Sequence, residues 1–87
     1  MSRIIFTEKG FQQYIDWQAS DKRLIRRIND LLKSIERNGA MGGLGKPEKL
    51  RYRDGEYSRR IDDANRLVYE IADSDIIVKA CKGHYEA

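Results

Sequence analysis

Residues 76–85, Ile-Ile-Val-Lys-Ala-Cys-Lys-Gly-His-Tyr, decide the fold of this 87-residue chain. The β-branched apolar half predicts a buried strand, and the other half holds the only histidine of the sequence. Histidine gains and loses a proton near neutral pH, so His84 is a candidate acid or base. Taken alone, the same residues also fit a solvated chain terminus, and the rest of the sequence must decide between the two.

Upstream of this strand, apolar and polar residues alternate in several short segments. Residues 50–52, 57–61 and 66–71 follow this pattern, and turn residues such as Asp54-Gly55 separate them. Period-two alternation with short connections is typical of antiparallel strands. The second half of the chain therefore predicts an antiparallel meander that ends in the strand from Ile76.

The first half of the chain has the spacing of helices instead. Residues 3–6 predict a short strand, and Thr7 can cap a helix over residues 8–19. Asp21 can cap a second helix, whose aliphatic residues recur every three or four positions until Asn38-Gly39 ends it. We expect an α+β fold, in which the amino-terminal strand and a two-helix hairpin pack on an antiparallel sheet. The helices cover one face of this two-layer sandwich, and water covers the other.

Length and composition restrict the class of protein. A chain of this size predicts a single domain over residues 1–87, and its 40% hydrophobic and 36% charged residues are typical of a soluble globular protein. No apolar run approaches the roughly 18 residues of a membrane span, so no membrane association is expected. A single cysteine fits a reducing compartment, which predicts a cytoplasmic location.

The charge and the glycine content of the sequence indicate which classes of ligand it could bind. The net charge is +3, and the stretch from Lys46 to Arg66 has seven basic residues against five acidic ones. Binding of a polyanion is therefore permitted. Residues 39–45 include four glycines and predict a mobile loop, but the spacing of a nucleotide-binding P-loop is absent.

Alternation sorts the side chains of the predicted sheet by face. Ser58 and Arg60 share a face opposite Arg59, and Arg66 lies opposite Tyr69. The last strand groups Ile76, Val78, Ala80, Lys82 and His84 against Ile77, Lys79, Cys81 and Tyr85. Because the helices need an apolar face, arginines on the other face would form a basic surface. The register beyond Gly83 stays open at this stage.

Metal-independent RNA cleavage requires a carboxylate, arginines and an acid, and the sequence supplies them in Glu48, Arg60, Arg66, His84 and Tyr85. A base removes the proton of a ribose 2′-hydroxyl, a guanidinium offsets charge on the phosphoryl oxygens, and an acid protonates the departing oxygen. One histidine and one cysteine without a carboxylate cluster make a poor metal site, so neither a metal nor another cofactor is expected.

Four segments of the sequence resemble the YoeB family, the Txe-type branch of the RelE superfamily of bacterial toxins. They are Gly45-Lys46-Pro47-Glu48-Lys49-Leu50, Gly55-Glu56-Tyr57-Ser58-Arg59-Arg60-Ile61, Arg66-Leu67-Val68-Tyr69 and Cys81-Lys82-Gly83-His84-Tyr85. The resemblance implies a RelE-like, microbial-RNase-like fold and the toxin of a type II toxin–antitoxin system. It further implies a ribosome-dependent endoribonuclease that cuts messenger RNA in the A site, a YefM-type antitoxin and a possible homodimer.

The same resemblance assigns roles to individual residues. Glu48 matches the family's general base, His84 the general acid, Arg66 the transition-state arginine and Tyr85 a tyrosine that supports the site. The residues that match positions near phosphate or RNA are Lys46, Lys49, Arg51 and Arg60.

Two departures from the family pattern bear on these roles. Asn65 stands where a histidine often precedes the arginine, and Glu86-Ala87 adds a negative charge beyond the tyrosine.

Other interpretations of the residues stay open. Glu48 could pair with a neighbouring lysine, and Arg59 fits a structural or antitoxin-facing role better than a catalytic one. The alternative function is a non-catalytic RNA- or DNA-binding module that uses the same basic face.

Overall fold

The computed structural model describes residues 2–51 and 53–84, and the predicted site residue Tyr85 lies outside them. Its elements are β1 (Ile4–Phe6), α1 (Glu8–Ser20), α2 (Lys22–Asn38), β2 (Glu48–Lys49), β3 (Glu56–Arg60), β4 (Arg66–Ala72) and β5 (Asp75–Ala80). The five strands form one sheet in the order β1-β5-β4-β3-β2. No helix in the described parts of the chain is long and apolar enough to cross a membrane.

The sheet is mixed, and the predicted α+β fold with two helices on one face is confirmed. The strands β2 to β5 pair antiparallel, whereas β1 lies parallel to β5, with Ile4 opposite Ile76. The strand predicted at residues 50–52 was wrong for Leu50 and Arg51, because the chain pairs with β3 through Glu48 and Lys49 instead. Tyr52 lies outside the described residues. Leu50 follows that strand, and its N–H donates to the Glu56 carbonyl at 2.9 Å.

All three predicted helix caps are confirmed. The Thr7 hydroxyl accepts the Gly10 N–H at 3.1 Å, and the Asp21 carboxylate accepts the N–H groups of Arg23 and Leu24 in the first turn of α2. Gly39 ends α2 with a φ of +82°. Packing explains why a glycine stands at position 10 inside α1, because a Cβ there would lie 2.5 Å from the Val78 carbonyl oxygen. Glycine thus lets the helix approach β5 closely.

The core lies between α2 and the covered face of the sheet. The aliphatic stripe of α2 packs against inward residues of β4 and β5, and the fully buried members are Ile28, Leu31, Leu67, Tyr69 and Val78. Cys81 is also fully buried, and burial raises the pKa of its thiol to about 11. Both features are typical of a small core residue rather than of a nucleophile.

The glycine-rich loop at residues 39–45 is tied to the sheet by Arg59, which is fully buried. Its guanidinium donates to the Tyr69 hydroxyl at 2.8 Å and to the Ser34 hydroxyl at 3.2 Å. It also donates to three loop carbonyls, those of Leu44 at 2.7 Å, Gly39 at 2.8 Å and Ala40 at 3.4 Å. The sequence predicted a mobile loop from its glycines and did not predict that a buried guanidinium binds three of its backbone carbonyls.

A β-bulge at Lys79 changes the faces of the residues that follow it. Val78 pairs with Tyr69 but Ala80 pairs with Val68, so Lys79 is the extra residue. Such a bulge reverses the alternation beyond it. Ala80 therefore lies on the open face and Cys81 under the helices, and the predicted grouping of these two residues was wrong. His84 likewise lies on the open side and not with Val78.

Candidate active site

The open face of the sheet carries a row of residues from four neighbouring strands. Glu48 in β2 is opposite Ser58 in β3, Ser58 is opposite Val68 in β4, and Val68 is opposite Ala80 in β5. Register partners on one face stand about 5 Å apart. The row therefore links the predicted base on the short edge strand to the strand that leads to His84.

Arg66 begins β4 beside this row and is held from two sides. Its Nε donates to the Ser58 hydroxyl at 3.0 Å, and its guanidinium lies 3.9 Å from a carboxylate oxygen of Glu48. The Arg66 side chain is only 15% exposed, whereas that of Glu48 is 54% exposed. The guanidinium is thus fixed in direction, while the carboxylate beside it stays accessible to a ligand.

The segment of residues 82–84, here called the strap, brings His84 to Arg66. The Arg66 N–H donates to the Gly83 carbonyl at 3.0 Å. The Gly83 N–H donates to the side-chain oxygen of Asn65 at 2.8 Å. Gly83 has a φ of +76°, a left-handed conformation that glycine adopts without steric cost. The exposed His84 therefore follows a segment whose backbone is fixed next to Arg66.

Arg66 and His84 line a common cleft of about 600 Å³. Its other basic residues come from distant parts of the chain and are Lys9, Arg53, Lys79 and Lys82. The acidic lining residue is Glu56, which lies 3.7 Å from Arg53. The excess of positive charge in a concave surface favours an anionic ligand.

Glu48 and the remaining predicted site residues in the described part of the chain do not line this cleft. Lys46, Lys49 and Arg51 are exposed and follow the β2 edge. Arg60 is opposite Arg66 in the register of β3 and β4, but its guanidinium pairs with the Asp63 carboxylate. The structure thus brings Glu48, Arg66 and His84 to one face, whereas Lys49 is on the covered face with its register partner Tyr57.

Several contributors to the site were not predicted. Ser58 is fully buried and orients Arg66, and strand alternation alone could have placed it there. Lys9 enters the cleft from the first turn of α1, and no local signal could have linked it to His84. Among the described residues, no three His, Cys, Asp or Glu side chains come together to hold a metal ion.

Comparison with known proteins supports a single relationship over almost the whole chain. The family model for the YoeB-like toxin of bacterial type II toxin–antitoxin systems matches residues 6–85. The chain is 45% identical to Toxin YoeB of Synechocystis over 85 residues, which cover 97% of this chain and 98% of that protein. It is 39% identical to Toxin YoeB of Escherichia coli K12 over 84 residues, which cover 95% and 99%.

Solved structures give the same result. The YoeB dimer from Staphylococcus aureus has a TM-score of 0.92 and 48% sequence identity, with 97% of this chain and 98% of that chain covered. The heterotetrameric YoeB–YefM toxin–antitoxin complex from the same species has a TM-score of 0.90 and 48% identity, with 98% and 99% covered. YafQ from E. coli, at 13% identity and a TM-score of 0.77, shares the fold.

Proposed function

The chain belongs to the YoeB-like toxins of bacterial type II toxin–antitoxin systems, and we propose that it is a ribosome-dependent endoribonuclease. Its substrate is messenger RNA in the ribosomal A site, and cleavage inhibits translation. The observation that carries this proposal is the placement of a carboxylate, a fixed guanidinium and an imidazole on one open, basic sheet face. These are Glu48, Arg66 and His84.

The groups that react belong to the chain and to the ribose of the bound messenger RNA. Glu48 takes the proton of the 2′-hydroxyl, and the resulting oxygen attacks the adjacent phosphorus. The bond from phosphorus to the 5′-oxygen breaks, and His84 gives its proton to that oxygen. Arg66 offsets the negative charge that grows on the phosphoryl oxygens. The products carry a 2′,3′-cyclic phosphate and a free 5′-hydroxyl.

The contact between Glu48 and Arg66 couples the two halves of this reaction. In the free protein the carboxylate lies 3.9 Å from the guanidinium. When Glu48 accepts the proton of the 2′-hydroxyl, its charge disappears just as negative charge develops on the phosphate. The attraction of Arg66 then shifts to the phosphate, while Ser58 keeps the guanidinium in place. The guanidinium thus meets the growing charge without having to reorient.

The basic surface also fits the proposed partners. The S. aureus structure shows a YoeB toxin in complex with YefM, and we propose a YefM-type antitoxin for this chain as well. An acidic segment that folds on binding would neutralise the cleft cations. A homodimer is proposed on the same basis, from the S. aureus YoeB dimer. A ribosomal substrate places the activity in the cytoplasm.

The decisive test of the proposal is cleavage of a ribosome-bound messenger RNA by the wild type and by His84→Ala. We expect His84→Ala to lower the rate by about 10²–10⁴-fold, the usual contribution of a general acid or base. A substrate with sulfur in place of the 5′-oxygen has a leaving group that needs no protonation. On that substrate, we expect the two proteins to differ far less.

Three outcomes would contradict this account. Equal cleavage of the ordinary substrate by both proteins would remove His84 from the mechanism. An equal loss on both substrates would mean that His84 is not the acid. Salt-sensitive RNA binding without any cleavage product would favour the non-catalytic binding module. For such binding, log affinity falls by about 0.7–0.9 per phosphate neutralised for each tenfold rise in salt concentration.

A further inference from the structure

Asn65 occupies a central place between the turn that precedes β4 and the strap that carries His84. The residue is 8% exposed. Its side-chain oxygen accepts the Gly83 N–H at 2.8 Å, and its side-chain nitrogen donates to the Asp62 carboxylate at 3.0 Å. One side chain therefore joins two segments that are 18 residues apart in the sequence.

The orientation of the Asn65 amide is fixed by its partners. The Gly83 N–H can only donate, so it requires the oxygen of the amide, and the Asp62 carboxylate can only accept, so it requires the nitrogen. The same carboxylate oxygen also accepts the N–H groups of Ala64 at 2.9 Å and Asn65 at 2.8 Å. Asp62 thus fixes the turn, and the turn fixes the amide.

The Asn65 contact completes the attachment of the strap. The Gly83 carbonyl is held by the Arg66 N–H at 3.0 Å, and its N–H is held by Asn65. Both backbone hydrogen-bonding groups of the residue before His84 are thereby satisfied by two consecutive residues of the chain. Removal of one of them would leave the strap attached to the sheet on one side only.

We propose that Asn65 is a positioning residue, which holds the backbone of Gly83 so that His84 stays over the cleft beside Arg66. The inference rests on the proposed function, because it gives a role to the geometry of His84. Asn65 acts through the strap and does not contact the substrate. A displacement of a catalytic group by about 1 Å can cost about a hundredfold in rate, so a strap loose enough to let His84 move this far would slow the reaction strongly.

The test combines kinetics with a readout that is independent of activity. We expect Asn65→Ala to cleave ribosome-bound messenger RNA about 10- to 100-fold more slowly than the wild type. Asn65→Asp retains an acceptor for the Gly83 N–H and should recover part of that loss. In a His84→Ala background, Asn65→Ala should have no further effect. Asn29→Ala is the matched control, because it removes a 2.7 Å hydrogen bond to Tyr14 between the helices and should leave cleavage unchanged.

NMR of the same proteins follows the attachment itself. The Gly83 amide should be protected from hydrogen exchange in the wild type and in the Asn29→Ala protein, and exposed in Asn65→Ala. The chain has one histidine, so its imidazole signals report on His84 alone and should shift in Asn65→Ala only.

The possible results separate the positioning role from the proposed function. Loss of Gly83 protection with unchanged cleavage would overturn the positioning role, as would additive effects of Asn65→Ala and His84→Ala. An unprotected Gly83 amide in the wild type would overturn the contact itself. If Asn65→Ala does not fold, Asn65→Asp provides the test. An Asn65→Asp protein whose Gly83 amide is unprotected, and which still cleaves at the wild-type rate, would also overturn the role. A wild type that does not cleave ribosome-bound RNA, with Gly83 protected as described, would instead contradict the proposed function.

Discussion

Replacement of the buried Arg59 by methionine tests how the loop that precedes β2 is held. Methionine has a similar length but no hydrogen-bond donors. The guanidinium is fully buried and donates to two hydroxyls and three loop carbonyls. The end of that loop is also held at β3, where the Arg60 N–H donates to the Gly45 carbonyl at 2.7 Å. Loosening of the loop would therefore reach β2 and Glu48.

The magnitude follows from the contacts that Arg59→Met removes. Each buried acceptor left without a partner costs about 1–3 kcal/mol, and relief from burying the charged guanidinium offsets part of this cost. With several neutral acceptors left unsatisfied and this relief subtracted, we expect a net loss of about 3–5 kcal/mol. A domain of this length has a free energy of unfolding of about 4–13 kcal/mol. The substitution thus removes a large share of the total stability.

Arg60→Met is the matched control for Arg59→Met. The two arginines are neighbours in β3, but Arg60 lies on the open face and pairs with the exposed Asp63, a contact worth less than about 1 kcal/mol. Urea unfolding in a His84→Ala background, which avoids expression of an active toxin, measures both. If the two substitutions lower the free energy of unfolding by similar amounts, Arg59 does not hold the loop.

Three further predictions concern the base, the buried thiol and the β1 edge. Glu48→Gln should lower cleavage by about 10²–10⁴-fold without changing the urea midpoint, whereas Glu36→Gln on the exposed side of α2 should cleave as the wild type does. Because burial raises the pKa of the Cys81 thiol from 9.0 to about 11, the folded state should lose about 2–3 kcal/mol as pH rises from about 9 to 11. The Cys81→Ala protein should lack this part of the loss. If the stability of the two proteins falls identically with rising pH, ionisation of the buried thiol does not contribute. Hydrogen bonds from Arg3 lower the pKa of Asp75, so stability present at neutral pH should fall as this carboxylate protonates in acid. Asp75→Asn should flatten that acid profile, and an unchanged profile would show that the pair does not contribute.

Local signals were sufficient to predict the fold class and the ends of the helices. Thr7, Asp21 and Gly39 act at helix ends through contacts within a few residues, so their chemistry can be read directly from the sequence. Alternation likewise placed Arg59 and Arg60 on opposite faces of β3. Alternation could not predict the structural role of Arg59, because the loop carbonyls that it binds are distant in sequence.

The site depended on features without a local signal. The bulge at Lys79 adds one residue to β5 and reverses the faces of Ala80 and Cys81, and nothing in a β-branched run marks such an insertion. The parallel pairing of β1 with β5 and the contact of Asn65 with Gly83 both join distant segments. The residues of the candidate site were predicted by resemblance, but their spatial arrangement required the three-dimensional structure.

The most direct test of the central claim is the fate of a messenger RNA with one 2′-deoxynucleotide immediately 5′ of the cleaved bond. If the 2′-hydroxyl is the nucleophile that Glu48 activates, translating ribosomes and the wild-type protein should leave this RNA intact at that bond. The matched all-ribose RNA should be cut there and should acquire a 2′,3′-cyclic phosphate end. Cleavage of the deoxy-substituted bond at the rate of the ribose bond would contradict the mechanism.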